Sequence, residues 1–240
     1  MPRFFADETS VCGDKITVRG SDARHIGYSL RMKVGDEIIF AREGLEYRCT
    51  IAEMTADSVR CSIIETVPSN CEPTVFVTLY QALPKSDKMG TIIQKTTELG
   101  ISRIVPFISA RCVSRPDAKS AEGKVRRWRK IAEEAAKQSG RGVIPEVAAV
   151  MSFEEALKDM SADIRLICYE NGGIRIAEAG IDCKKSIAVI IGAEGGFQRD
   201  ETEKAAEYGA VPVWLGRRIL RCETCPAAVT AVIMHISGNL

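Results

Sequence analysis

Residues 187–234 read IAVIIGAEGGFQRDETEKAAEYGAVPVWLGRRILRCETCPAAVTAVIM. The opening apolar run, residues 187–191, predicts a buried strand. Gly192, Gly195 and Gly196 follow, then an acidic helical stretch, a second apolar run ending at Leu215 and Gly216, the segment RRILRCET, and a closing apolar helix. Glycines directly after a buried strand let backbone approach a ligand closely, and free N–H groups there favour a polar or anionic one. The spacing meets neither G-x-G-x-x-G nor a G-K-[ST] P-loop. By pattern alone, a Gly-rich turn in an α/β sheet accounts for the stretch as well as a ligand loop does.

Upstream, the rhythm from Thr74 alternates strand and helix, which predicts a parallel sheet. TVFVTLYQAL and SRIVPFI are strands. Between them KSDKMGTIIQKTTELG is a helix with Met89, Ile92, Ile93, Thr96 and Leu99 on one face and Gly100 as its stop. Ser152 and Glu155 spell a capping box for FEEALKDM, and IRLICYE is a strand. In open α/β sheets ligands gather at the carboxyl ends of strands. Tyr169, Gly192 and Leu215 all stand at such ends. Residues 119–130, KSAEGKVRRWRK, hold six cations against one acid. Val125, Trp128, Ile131, Ala132 and Ala135 recur at helical spacing there, so Trp128 reads as a core anchor rather than a base-stacking platform.

Residues 1–70 read differently. KITVRG, DEIIFAREGLEYRCTIAEMT and SVRCSIIETV alternate apolar and polar residues, the pattern of a small barrel. A short helix capped by Ser21 runs through His25, Ile26 and Leu30, and His25 reads as a packed side chain. The proline-bounded PSNCEP, residues 68–73, marks a linker and sets domains at 1–70 and 73–240. The 240 residues carry a net charge of +1, so any nucleic-acid footprint is local. No apolar run reaches membrane-spanning length, and nine cysteines without framework spacing suit a reducing cytoplasm.

IIGAEGGF followed by LGRRILRCET resembles the signature pair of the SPOUT methyltransferases. More narrowly it resembles the bacterial 16S ribosomal RNA uridine-N3 methyltransferase family (RsmE), whose members typically read IGPEGGFS and LGxRILRTETA. HIGYSLRMKVGDEI is similar to that family's H-x-x-x-VLR-x-x-x-GD block, and KSDKMGTIIQKTTELG to its K-x-x-KMExxIQKxTELG block, so the likeness spans nearly the whole chain. Departures are Gly90 for an acidic residue, Ala193 for proline, Gln198 for a serine cap, and Cys222 and Cys225 for a threonine and a small residue.

The resemblance implies an α/β fold with an N-terminal PUA-like RNA-binding β-barrel and a C-terminal trefoil-knotted SPOUT methyltransferase domain, working as a homodimer on 16S rRNA of the small ribosomal subunit. It implies S-adenosylmethionine as cofactor. Leu215, Gly216, Ile219 and Leu220 would hold the adenine, with Tyr169, Gly192, Glu194 and Gly195 lining the same pocket. Arg3, Arg24, Arg31 and Lys33 would form the RNA face of the first domain. Arg126 is placed for phosphate contact, and Arg141, in the family's "GR" element, is the preferred RNA-contacting arginine of the second domain. Methylating N3 of uridine requires loss of its proton and stabilisation of the uracil anion. Arg221 suits the second need. Glu223 is a nearby carboxylate that reads either as a general base or as the cap of the last helix, where the dipole favours acids. Other readings are a ribose 2′-O-methyltransferase, a non-catalytic RNA-binding module, and a redox or zinc site at C-x-x-C 222–225. Zinc would need two further ligands and is disfavoured, so no metal is expected.

Overall fold

The computed structural model describes residues 1–6, 10–182 and 184–240. The chain divides into two compact units, Met1–Glu72 with Ala136–Val143, and Pro73–Ala135 with Ile144–Leu240.

The first unit contains β1 (Arg3–Phe5), β2 (Val11–Cys12), β3 (Lys15–Arg19), α1 (Ser21–Arg24), β4 (Glu37–Arg42), β5 (Leu45–Met54) and β6 (Ser58–Pro68). Among the described residues its six strands form one half-barrel sheet in the order β1-β4-β5-β6-β3-β2, parallel only at β1–β4. Alternation supplies the core. Ile38 faces Cys49, Ile51 faces Cys61 and Val59 faces Val18, all buried. A two-residue turn joins β4 to β5, with Glu43 at φ 50° and Gly44 at φ 78°, the left-handed pair that matches strand twist.

Several expectations change here. Ser21 does not cap: Gly20 holds the cap position at φ 68° and Ser21 is already helical. The helix then widens into a π-helical turn, His25–Ser29, which leaves Leu30 exposed. His25 is exposed rather than packed into the core, with its ring edge-on to Phe4 at 5.8 Å. Arg3 and Arg141 are not free for RNA. Arg3 pairs with Glu46 at 2.9 Å, and Arg141, only 3% exposed, pairs with Glu72 at 2.7 Å. Arg141 also falls in this unit rather than the second. Charges removed from water hold partners, and these carboxylates had claimed both guanidiniums.

The second unit contains β7 (Phe76–Ala82), α2 (Lys88–Glu98), β8 (Arg103–Ile108), α3 (Ala118–Gln138), β9 (Glu146–Val147), β10 (Met151–Ser152), α4 (Phe153–Asp159), β11 (Ile164–Cys168), β12 (Ile174–Arg175), β13 (Ser186–Ile191), α5 (Arg199–Glu207), β14 (Ala210–Trp214) and α6 (Thr224–Ile236); the last turns of α3 count with the first unit. Its sheet runs β10-β8-β7-β13-β11-β14-β12, with β9 also on β8, and every pairing is parallel. Strands covered on both faces are largely apolar, as β7 and β13 are apart from Thr78, Gln81 and Ser186. Trp128 is buried at 5% exposure beside Val125, Ala132 and Ala135, the core seam read from spacing. The predicted capping box forms: Glu155 N–H donates to Ser152 Oγ, and Ser152 N–H to Glu155 Oε2.

Gly90 sits inside α2 where a Cβ would lie 3.2 Å from Ile131 Cδ1. Alanine there gains about 1 kcal/mol of helix propensity, and the tip of Ile131 yields by a few tenths of an ångström. Gly90→Ala is therefore expected to raise Tm by about 1–3 °C. A lower melting temperature would mean that Ile131 has no room to move.

Candidate active site

Three loops leave the carboxyl ends of neighbouring strands β13, β11 and β14, and between them lies a cleft in two connected parts. One part, about 340 Å³, is lined by Tyr169, Glu170 and Gly172 after β11 and by residues 215–220 after β14. The other, about 550 Å³, lies between residues 192–196 and 219–222 and reaches Lys88. Cys168, Glu170, Ile219, Leu220 and Cys225 line both.

The glycine loop is tight. Ala193 and Gly196 bridge across it, and a Cβ on Gly192 would stand 3.0 Å from the Gly196 backbone. Gly196 itself has φ 63° and lies against the Glu170 carboxylate. Buried Gln81 donates from Nε2 to the Gly192 carbonyl at 3.3 Å, supporting the loop from beneath. Arg111 donates to the Gly195 carbonyl at 2.6 Å. The loop opens α5, where Gln198 N–H donates to Glu201 Oε2 at 2.9 Å, so half of a capping box survives without the usual serine.

Each residue expected to hold cofactor lines this cleft: Tyr169, Leu215 and Gly216 on one side, Gly192, Glu194 and Gly195 on the other, Ile219 and Leu220 on both. Tyr169 is fixed by its N–H to the Val213 carbonyl at 3.0 Å, and Ile219 is 85% exposed at the rim. Arg221 lies on the lip, exposed and without an ion pair among the described residues. Its carbonyl accepts the N–H groups of Thr224 and Cys225, so the backbone is anchored while the guanidinium is free. Glu223 occupies the cap position of α6 but makes no side-chain cap bond, which corrects the capping reading. Its carboxylate turns instead to Lys88 Nζ at 3.2 Å and accepts from Cys222 Sγ at 3.2 Å. Arg24, Arg31, Lys33 and Arg126 lie apart from the cleft lining, all four exposed.

Sequence reading passed over Lys88. Its ammonium bridges Glu194 at 3.1 Å and Glu223 at 3.2 Å, tying the glycine loop to the segment that carries Arg221. Glu194 is further held by the Lys85 N–H at 3.1 Å. Both lysines belong to the KSDK start of the α2 block, and that motif was the available signal. Bonds to Glu194 and Glu223 raise the Lys88 pKa. Burial pushes Glu194 up, but its own backbone N–H, Lys88 and the Lys85 N–H reverse this and leave it below the usual carboxylate range. The Glu223 backbone N–H, the Cys222 thiol and Lys88 lower Glu223 as well. Cys222 is pushed up to about 12 by burial and its bond to Glu223, so it stays a thiol. No group of three or more His, Cys, Asp or Glu side chains that could hold a metal ion converges among the described residues.

A carboxyl with a lowered pKa keeps its ionised contacts above its ordinary value and loses them as pH falls through the lower one. Both carboxylates are therefore expected to be charged across the neutral and mildly acidic range. Carbon-detected NMR titration should show Glu194 and Glu223 still ionised at their ordinary pKa of 4.5, where a freely exposed glutamate is half protonated. Titration of both together with the exposed glutamates would show that the Lys88 bridge does not persist in solution.

Residues 71–234 match the family described as an RNA methyltransferase domain, and residues 18–64 match an RNA methyltransferase PUA domain. The chain is 36% identical to the ribosomal RNA small subunit methyltransferase E of Bacillus subtilis (strain 168), over 98% of this chain and 96% of that one. The protein of the same name from Mycobacterium bovis is 28% identical, over 96% of this chain and 90% of its own. Among solved structures, a ribosomal RNA small subunit methyltransferase E from Neisseria gonorrhoeae bound to S-adenosyl methionine is similar at TM-score 0.90 and 29% identity, covering 99% of this chain and 98% of that one. With a family match spanning the second unit and a full-length relative at this identity, the chain belongs to the ribosomal RNA small subunit methyltransferase E family of RNA methyltransferases.

Proposed function

We propose that this protein transfers a methyl group from S-adenosylmethionine to N3 of a uridine in the 16S rRNA of the small ribosomal subunit. The observation that carries the reading is the cleft at three adjacent strand ends, in a chain that belongs to this family. Its shape suits the cofactor. The adjoining hollows match an elongated nucleoside-plus-amino-acid ligand, and a Cβ at Gly192 would run into the Gly196 backbone within the turn that lines the second of them.

When bound, S-adenosylmethionine supplies the methyl group as a sulfonium. The chain's own residues do the rest. The N3 edge must be unpaired, so the target base enters the cleft flipped from its stack. Arg221, exposed on an anchored backbone, neutralises charge gathering on the uracil oxygens as the N3 proton leaves. Glu223, ionised and two residues further along the chain, is the carboxylate assigned to accept that proton, although its lowered pKa makes it a weak base. Tyr169, Leu215, Gly216 and Leu220 position the nucleoside half.

The trefoil knot, the homodimer, the boundaries at 1–70 and 73–240, and residence in the cytoplasm belong to the same proposal. No helix among the described residues is long and apolar enough to cross a membrane. Exposed Arg24, Arg31, Lys33 and Arg126 are the proposed RNA contacts. Small subunits lacking the modification, incubated with this protein and labelled cofactor and then digested, are expected to yield labelled 3-methyluridine by nucleoside mass spectrometry. A labelled 2′-O-methyl nucleoside would overturn the assignment to N3.

A further inference from the structure

In the first unit, residues 24–34 are built as if to present side chains outward. Two apolar anchors, Ala23 and Ile26, are buried and hold the helical turn to the sheet. Tyr28 is 71% exposed, and Leu30 and Val34 are exposed beside it in sequence. Neither core cluster includes any of the three. The backbone that carries them is stiff and unusual. Leu30 N–H closes the π-helical turn on the His25 carbonyl at 2.9 Å, and Met32 N–H reaches the Ile26 carbonyl at 3.1 Å. Arg31 is held at φ 54°, which is costly for a residue with a Cβ. The loop is then fixed by Gly35 N–H to the Ile51 carbonyl and by Lys33 N–H to Asp36 Oδ2 at 2.7 Å.

Charge selects the partner. Arg24, Arg31 and Lys33 are exposed and make no ion pair among the described residues. Asp36 is spent on the Lys33 backbone, and the Arg24 side chain donates to the Gly20 carbonyl at 3.4 Å, with no carboxylate on it among the described residues. Arg24 and Tyr28 are four residues apart on one helical stretch and so share a face. An exposed aromatic ring in a short segment that also carries unneutralised cations suits a base with its neighbouring phosphates, because every base offers a π-face. A duplex keeps its bases stacked internally and cannot use the ring.

We propose that residues 24–34 form a base-stacking site for single-stranded RNA, with Tyr28 as the platform and Arg24, Arg31 and Lys33 on the flanking phosphates. The proposal deepens the RNA methyltransferase reading and rests on it. Tyr28 touches no reacting atom, so its effect falls on RNA affinity and not on the chemical step.

The test is fluorescence anisotropy with the full chain, using a labelled unstructured single-stranded RNA dodecamer and a duplex of the same length. Tyr28→Ala is expected to weaken single-strand binding about tenfold or more, Tyr28→Phe to restore it, and duplex binding to change little. Tyr28→Ala should leave the slope of log affinity against log salt unaltered, whereas Arg31→Ala should lower it by about one. In the methylation assay Tyr28→Ala should raise KM for the RNA with kcat unchanged. Normal single-strand binding by Tyr28→Ala, failure of phenylalanine to restore it, or equal losses on duplex would each overturn the site. If the unaltered chain binds S-adenosylmethionine but neither RNA, the patch faces some other partner and the proposal falls. If it binds no S-adenosylmethionine, the methyltransferase reading beneath it falls as well.

Discussion

Arg221→Ala is expected to slow methyl transfer about 100- to 1,000-fold while leaving affinity for S-adenosylmethionine within about threefold. The separation follows from the architecture. The side of the cleft proposed for the cofactor is built from backbone: the Gly192–Gly196 turn, the Tyr169 amide held on Val213, and the residues after Trp214. The Arg221 side chain supports none of these, since its carbonyl rather than its guanidinium receives the first N–H groups of the last helix. Removing the guanidinium therefore strips a positive charge from the lip without moving the loops. That charge matters most when the N3 proton departs and the uracil ring becomes anionic. Arg221→Lys keeps the charge but loses the planar fork, and should recover part of the rate. Single-turnover kinetics with isothermal titration calorimetry would check both. A tenfold or greater loss of cofactor affinity in Arg221→Ala would show instead that the arginine builds the pocket.

Much of this was legible in the chain. Strand and helix alternation after Thr74 announced a parallel sheet, and the positions at strand ends announced the cleft, because both depend on local periodicity and on where glycines fall. The short strands β1, β2, β10 and β12 are not legible, since two or three residues carry no period. The π-helical turn was missed because an i-to-i+5 bond has no side-chain signature in HIGYS. Ionic pairing was the least visible of all. Whether a cation is free or neutralised depends on contacts far apart in sequence, such as Lys88 with Glu223 and Arg3 with Glu46, and a pattern of local residue types does not encode them. Lys88 was therefore overlooked at the site, and Arg141 was offered to RNA when it was already engaged.

Arg141 supplies the second large effect. Glu72 is one hub of the first unit: its carboxylate accepts from Arg141 Nη2 at 2.7 Å and from the N–H groups of Gly142 and Val143 at 2.8 and 3.2 Å. Glu72→Ala would leave an almost wholly buried guanidinium without that carboxylate and remove the acceptor of two amides. Breaking a buried pair from one side is expected to cost about 3 kcal/mol, the low end of the usual range because Glu72 is partly exposed and Arg141 keeps other contacts. The corresponding fall in Tm is roughly 10 °C. Arg141→Met should cost less, since an apolar side chain of similar length replaces the charge and leaves behind only a carboxylate that water reaches in part. The double variant should then be more stable than the sum of the two single losses predicts, giving a coupling energy that a surface arginine reserved for RNA would not show. Thermal melts of the four proteins, with RNA affinity measured on those still folded, separate the two roles. A stable Arg141→Met that loses RNA binding, with Glu72→Ala unharmed, would return Arg141 to the RNA face despite its burial.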